Sequence, residues 1–303
     1  MKKTEFKGQL SDIDLRMLRI YKVVVECGGF SAAEVELNIS RAAISIAMSD
    51  LESRLGFRLC QRGRSGFSLT EEGQQIYNYT LQLLSSLEDF RTQVNTLHTQ
   101  LKGELNIGIT DNLVTMPHMR ITNALSALKR QGPDISINIR MMPPNEIEIG
   151  VLDGRVHIGI IPDLRPLAGL HYLPLYQEES RLYCSHDHPL FNTQNESHIE
   201  LSQWDAVIPA YAQTAEIKTQ LQQLKGTATA TDREGIAFLI LTGCYLGYLP
   251  VHFAAQWVQA GRIQTLLPAT CNYITQFSAI TRKGARPNLI LETFLEKLMQ
   301  DNE

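Results

Sequence analysis

The chain has 303 residues, room for two or three domains, and its 44% hydrophobic and 20% charged content is that of an ordinary globular protein. No run of about eighteen apolar residues occurs, so no membrane-spanning helix is expected, and Met1-Lys2-Lys3-Thr4-Glu5 has no apolar stretch behind it to make a signal peptide. The net charge of −4 is divided unevenly: residues 1–70 hold 11 Lys and Arg against 8 Asp and Glu, residues 71–303 hold 17 against 24. A basic head on an acidic body is expected where one end docks on phosphates.

Asp12 or Asp14 can cap a first helix reaching about Cys27, with Leu15, Leu18, Tyr21 and Val25 as its inner face and Gly28-Gly29 as its stop. Ser31-Ala32-Ala33-Glu34 has the S-x-x-E form of a capping box and predicts a short second helix, turned out at Asn38. Ser40 caps a third helix from Arg41 to about Leu55, stopped by Gly56. Ile44, Met48, Leu51 and Leu55 give that helix one buried stripe. Its opposite face offers Arg41, Ala42, Ser45, Ile46, Ser49 and Asp50.

Two short extended runs follow, Phe57–Arg62 and Phe67–Thr70, around the basic turn Gly63-Arg64-Ser65-Gly66, which reads as a β-wing. Helix, tight turn, helix and wing together predict a winged helix-turn-helix with the third helix in a DNA major groove. Ser31, Ser40, Arg41, Ala42, Ser45, Ile46 and Ser49 are the candidate groove residues. Arg58, Arg62 and Arg64 suit phosphate contact.

Thr70 then caps a long helix with Glu71 and Glu72 in its first turn. Leu83, Leu87, Phe90, Val94, Leu97 and Leu101 recur at alternating steps of four and three, a heptad seam with no apolar partner nearby in sequence. The spacing predicts a helix over 71–101, about 46 Å long, whose seam calls for a partner, the alternative being a core-facing helix of a bundle.

After Gly103 strands and helices alternate, as in a parallel α/β sheet. The expected strands are Leu105–Ile109, Ile135–Arg140, His157–Ile161, Arg181–Ser185, Ala206–Ile208, Thr227–Thr231, Leu246–Leu249 and Ile274–Ile280, with a helix over Met116–Arg130 and a closing helix over Leu289–Met299. Two lobes joined by two crossings enclose a cleft, and ligands of open α/β sheets bind outside the carboxyl ends of the strands. That places the ligand candidates at Thr110, Asp111 and Asn112, at Met141, Met142 and Pro143, at Ala210 and Tyr211, and at Asp232 and Arg233. Backbone amides there can hold an anion, although Asp111 opposes one unless it points away.

Enzyme signatures are missing: there is no G-x-S-x-G, no phosphate-binding glycine loop and no H-E-x-x-H. Ser126-x-x-Lys129 lies inside an amphipathic helix and reads as chance, and His186 and His188 lack further ligands at zinc spacing, so no catalysis, metal or cofactor is expected. Five cysteines without a C-x-x-C pair point to reduced thiols in the cytoplasm, and Cys27, Cys184 and Cys244 read as small buried hydrophobes.

Leu15-x-x-Leu18-Arg19-x-Tyr21-x-x-Val24-x-Glu26-x-Gly28-x-Phe30-Ser31, followed by Ala33, Leu37, Ser40, Ile44-Ser45, Leu51-Glu52, Leu55-Gly56, Leu59, Arg62 and Leu69-Thr70-x-x-Gly73, resembles the N-terminal signature of LysR-type transcriptional regulators. His188-Pro189-Leu190, Gly247-x-x-x-Pro250 and Gly261-x-Ile263 resemble their effector domain more loosely. The sequence departs from the family at Arg41-Ala42, where Gln-Pro is usual, at Ile46-Ala47 for Arg-Gln, at Glu34 for alanine and at Cys60 for phenylalanine.

The resemblance implies an α+β multidomain chain: a winged helix-turn-helix over 1–70, a dimerising linker helix over 71–102, and a two-lobed, periplasmic-binding-protein-like effector domain over 103–303. Lobe one would comprise 103–166 with 272–303, and lobe two 167–271. It implies a homodimer or homotetramer that binds an operator duplex and a small-molecule effector, and that meets RNA polymerase if it activates. The alternatives are an effector-independent repressor of the same fold, or a small-molecule enzyme or carrier.

Overall fold

Ser11 opens the first helix, α1 (Asp12–Glu26), with a reciprocal capping box to Asp14. The Ser11 amide and hydroxyl, together with the Arg54 guanidinium, hold the Asp14 carboxyl below the usual carboxylate range. The structure, a computed structural model, describes residues 9–63, 66–97, 101–193, 199–285 and 288–300. It divides into two units, Met1–Phe90 and Arg91–Glu303. No helix among the described residues is long and apolar enough to cross a membrane.

In the first unit α1 is followed by α2 (Phe30–Leu37), α3 (Arg41–Leu55), the hairpin β1 (Cys60–Gly63) and β2 (Gly66–Leu69), and α4, which runs Glu71–Leu97. Met17, Leu18, Ile20, Tyr21 and Val24 of α1 pack with Ala33, Ile44, Met48, Leu51 and Leu59. Leu15 and Val25 are only half buried. The inner face of α1 is wider than its four-residue stripe because α1 meets both α2 and α3.

The capping box expected at Ser31 does not form. Gly29, at φ 147°, lets α2 begin at Phe30 with no side-chain cap, and the Phe30 ring packs edge-on against Phe67 at 6.1 Å. Ser31 therefore lies in the first turn, and Glu34 reaches forward instead to accept the Arg41 amide at 3.1 Å.

Thr70 ties the wing to α4: its hydroxyl donates to the Arg58 carbonyl at 2.7 Å and accepts the Gly73 amide at 2.9 Å. Tyr21 donates to the Gly73 carbonyl from the core at 2.7 Å. A Cβ on Gly73 would lie 1.9 Å from the Leu59 carbonyl oxygen. Gly73→Ala is thus expected to cost about 1–3 kcal/mol or more by overpacking. Differential scanning calorimetry should show the loss in the first unit's transition and leave the second unit's unchanged.

In chain order the second unit comprises β3 (Gly103–Ile109), α5 (Arg120–Gln131), β4 (Ile135–Met141), α6 (Pro144–Leu152), β5 (Ile158–Pro162), β6 (Leu170–Ser185), β7 (Asp205–Pro209), α7 (Ala215–Leu221), β8 (Lys225–Ala230), α8 (Arg233–Leu241), β9 (Gly247–Pro250), α9 (Val251–Gln259), β10 (Ile263–Thr265), β11 (Asn272–Arg282) and α10 (Leu289–Met299). One seven-stranded sheet runs β10-β6-β11-β5-β3-β4, with β9 also paired to β6. β3 is parallel to β4 and β5, as the alternating grammar predicts. β7 and β8 form a separate parallel pair, bridged to Leu246 just before β9.

Lobe one packs Leu105, Ile107, Leu128, Ile158, Phe277 and Phe294 between the sheet and α5 and α10. Lobe two packs Leu182, Ala206, Ile217, Leu246 and Tyr248. β6 and β11 belong to both: the start of β6, Leu170–Gln177, pairs with Arg282–Gln276, and Glu178–Arg181 pair with Thr275–Asn272.

The first half of β6 was not expected as strand because Pro174 interrupts it. The ladder slips there, so Pro174 opposes Ser278 and Tyr176 opposes Phe277, and a bulge tolerates the missing amide. The Met116–Arg130 helix is also shorter than expected. Met119 sits at φ 45° and α5 starts only at Arg120, which leaves residues 110–119 as a loop with one 3-10 turn over Leu113–Thr115.

Candidate nucleic-acid interface and inter-lobe site

The third helix is fixed at both ends and on one face, and largely exposed on the other. Ser40 accepts the Ala43 amide at 3.3 Å, Glu34 accepts the Arg41 amide, and Gly56 closes the helix in the left-handed region at φ 82°. Ile44, Met48 and Leu51 are buried. Arg41, Ala42 and Ser49 are exposed, Ile46 is 62% exposed, and Ser45 is half buried.

Ser31, Ser40 and Arg58 are also exposed. Arg64 lies outside the described residues, and only the backbone of Arg62 is described. At the base of the wing Glu52 accepts the Leu59 amide at 2.9 Å and the Cys60 amide at 3.4 Å. Cys60 is thus buried beside the Glu52 carboxylate.

Two positions set the third helix from its amino end, Glu34 and Ser40. Removing such a cap costs about 0.5–2 kcal/mol. Glu34→Ala is expected to lower the first unit's stability by that amount and to weaken DNA binding, measured by chemical denaturation and by anisotropy with a labelled duplex.

The seam of the long helix is divided. Leu83 packs on the first unit's core. Leu101 lies beyond the helix end at Leu97 and packs on the lobe-one core. Leu87 is half buried, Phe90 is 63% exposed and Val94 39% exposed. Leu97 is described by its backbone only.

In the second unit one loop of lobe one reaches across to the amino ends of two lobe-two helices. Asp111 accepts the Arg233 backbone amide at 2.6 Å and pairs with the Arg233 guanidinium at 2.6 Å. Thr115 meets His252, in the first turn of α9, at 2.6 Å. Glu178 of β6 joins both, approaching the guanidinium at 3.5 Å and the His252 Nε2 at 3.0 Å. The Tyr211 ring lies 5.2 Å from the guanidinium carbon, near enough for a cation–π contact.

Burial disfavours the Arg233 charge, but Tyr211, Glu178 and Asp111 outweigh it and raise the guanidinium's pKa. Burial likewise raises the phenols of Tyr176, Tyr211 and Tyr273, which stay neutral.

The other ligand candidates scatter. Asn112 is buried in the left-handed region and donates to Asp111 at 3.0 Å. Thr110 is buried, and its hydroxyl has no hydrogen-bond partner among the described residues. Asp232 caps α8 through the Gly235 amide at 2.7 Å. Ala210 is exposed at the end of β7. Met142 packs beneath α6 with Ile147 and Val151, Met141 is 68% exposed on the edge strand β4, and Pro143 precedes α6. Met141 pairs with Ile109 and the Met142 amide donates to the Ile109 carbonyl at 3.0 Å, so this backbone lies beside the start of the 110–119 loop.

The remaining motifs have structural partners. Lys129 donates to the carbonyls of Pro133 and Ile135 at 2.6 and 2.8 Å. His188 is buried, its ring 5.0 Å from Trp204, and burial lowers its pKa. Cys184 is buried and its thiol pushed up to about 12. Cys27 is only half buried. Cys244 is exposed, contrary to expectation, because Gly243 at φ 79° turns the chain outward after α8.

The description "Bacterial regulatory helix-turn-helix protein, lysR family" matches residues 15–74, and "LysR substrate binding domain" matches residues 98–302. The chain belongs to the LysR family. It is 58% identical over 291 residues to the "HTH-type transcriptional activator BauR" of Pseudomonas aeruginosa, covering 95% of each chain. It is 31% identical over 192 residues to the uncharacterized regulator YnfL of Escherichia coli, covering 63% of this chain and 64% of that one.

Among solved structures it resembles CbnR, a LysR family transcriptional regulator, at a TM-score of 0.68 and 18% identity, covering 95% of this chain and 99% of that one. It also resembles full-length CbnR in complex with its target DNA, at 0.66 and 18% identity, covering 94% and 98%. At such identity these structures show the shared fold.

This LysR-type protein is thus a DNA-binding transcriptional regulator with an effector-binding domain, and not an enzyme. Its inter-lobe network contains three residues that sequence reasoning passed over: Thr115, Glu178 and His252. Two had a signal. Glu178 shares the parity of Ser180, Leu182 and Cys184 along β6, all buried. His252 follows the end of β9, the kind of position that drew attention to Asp111 and Arg233.

Proposed function

We propose that this LysR-type protein is a cytoplasmic, effector-gated transcriptional activator that binds its operator as a two-fold oligomer. The observation that carries the DNA-binding assignment is the third helix: capped, buried on its Ile44–Met48–Leu51 side and exposed at Arg41, Ala42, Ile46 and Ser49. The working division is 1–70 for DNA, 71–102 for dimerisation and 103–303 for the effector, with β6 and β11 as the crossings between lobes. Phe90 and Val94 support pairing of the linker helices, being apolar and exposed on α4. Similarity to BauR, named an activator, supports activation, and an activator at a promoter meets RNA polymerase.

Arg41 is assigned to a guanine edge, and Ile46 to a thymine methyl, since isoleucine cannot hydrogen-bond a base. Ser31, Ser40, Ala42, Ser45, Ser49 and the wing arginines Arg58, Arg62 and Arg64 are assigned to phosphates and groove walls. In the effector domain Tyr211 and Arg233 are assigned to the ligand, with Thr110, Asp111, Asn112, Ala210 and Asp232 around them. Met141, Met142 and Pro143 are assigned no ligand contact, Met141 being exposed at the sheet edge and Met142 packed against Ile147 and Val151.

The test is a selection from random duplexes with wild type and Arg41→Ala. A bidentate arginine–guanine contact is worth roughly 1–3 kcal/mol of discrimination. The variant should lose its preference at one base pair per half-site and keep the rest. Weaker binding with every base preference intact would make Arg41 a phosphate contact and move the readout elsewhere.

A further inference from the structure

In the inter-lobe site a carboxylate of the protein itself fills a place suited to an anion. Asp111 lies 2.6 Å from the first amide of the nine-residue helix α8 and 2.6 Å from the Arg233 guanidinium, a pairing of helix end and cation that favours negative charge. Arg233 has a second acidic neighbour in Glu178, from the shared strand β6. The side chain of Glu178 is 2% exposed and that of Arg233 11%, whereas that of Asp111 is 23% exposed and stands on a loop of the opposite lobe. Two carboxylates thus serve one guanidinium, and the outer one can leave for water without stranding the inner pair.

Two buried hydroxyls have no hydrogen-bond partner among the described residues. Thr110, beside Asp111 in sequence, is 3% exposed and its hydroxyl makes no hydrogen bond. The Tyr176 hydroxyl, two residues from Glu178 on the same face of β6, is also buried without one. Buried hydroxyls normally find partners, and both donate well to a carboxylate.

We propose that Asp111 is a tethered stand-in for the effector's own carboxylate. A small organic carboxylate replaces it on Arg233 and the α8 amide, and the freed loop releases a polar tie between the lobes. The proposal rests on reading the inter-lobe site as the effector site. It makes the effector a competitor of the protein's own side chain, so apparent affinity falls by the fraction of time the site stands open.

The experiment titrates full-length wild type, Asp111→Asn and Asp111→Ala with acetate, propionate and butyrate, with the matching amides, and with chloride at equal ionic strength. Calorimetry and thermal shift are the readouts. A tie closed nine-tenths of the time weakens apparent binding about tenfold. Asp111→Asn should therefore bind at least one carboxylate about tenfold more tightly than wild type, and no amide. Asp111→Ala should regain thermal stability saturably with acetate and not with acetamide.

Equal binding of acids and amides, equal affinity in wild type and Asp111→Asn, or no carboxylate binding to either variant would overturn the proposal. Operator binding is measured on the same samples. Carboxylate binding as expected with unchanged operator affinity would uphold the anion site and overturn effector gating through it.

Discussion

Arg233→Met is expected to destabilise the effector domain by about 3–5 kcal/mol, the usual cost of removing one partner from a buried ionic cluster. The substitution leaves Glu178, 2% exposed, with the His252 ring as its remaining partner in this cluster among the described residues, and strips Asp111 of its guanidinium partner. Calorimetry of the full chain should show the second unit's transition falling well below wild type, while the first unit's stays in place. Glu178→Gln in the same background should recover part of the loss by removing the stranded charge. An Arg233→Met protein as stable as wild type would mean that the cluster is solvated, and not a buried ionic network.

Phe90→Glu combined with Val94→Glu is expected to abolish tight operator binding. The two side chains are the most exposed members of the seam on α4 whose side chains are described. Glutamates there set like charges across a two-fold axis. Sedimentation should show monomers, and affinity for a two-half-site duplex should fall by on the order of 10²–10⁴-fold as the second head loses its effective concentration. Both units should stay folded, because neither residue is buried. An oligomer that survives the double substitution would locate the self-association in the effector domains.

Where local chemistry decides conformation, the sequence was legible. Ser40 and Gly56 bound the third helix exactly where a hydroxyl cap and a left-handed stop belong, and Thr70 starts α4 as expected. The parallel β3, β4 and β5 follow from their alternation with helices. The failures are places where a distant residue overrides a local pattern. Glu34 serves the next helix instead of its own, Pro174 is accommodated by a slip against Ser278, and Met141 faces outward because β4 ended at the sheet's edge.

The inter-lobe site shows the same division. Asp111 and Arg233 could be chosen by their place at strand ends, 122 residues apart, but nothing local says that they pair. Glu178 was hidden because its half of β6 was not read as strand, and parity along a strand means nothing until the strand is drawn. Thr115 depends on the late start of α5, which Met119 imposes.

The most direct test of the account is the affinity of the full chain for its selected duplex against the same duplex with one half-site scrambled. Anisotropy at about 0.15 M salt, where a specific site typically outbinds random DNA by 10³–10⁷, is the measurement. Two linked heads predict a loss on the order of 10²–10⁴-fold on scrambling one half-site. Equal affinity for the two duplexes would contradict a regulator that reads its operator as a two-fold pair.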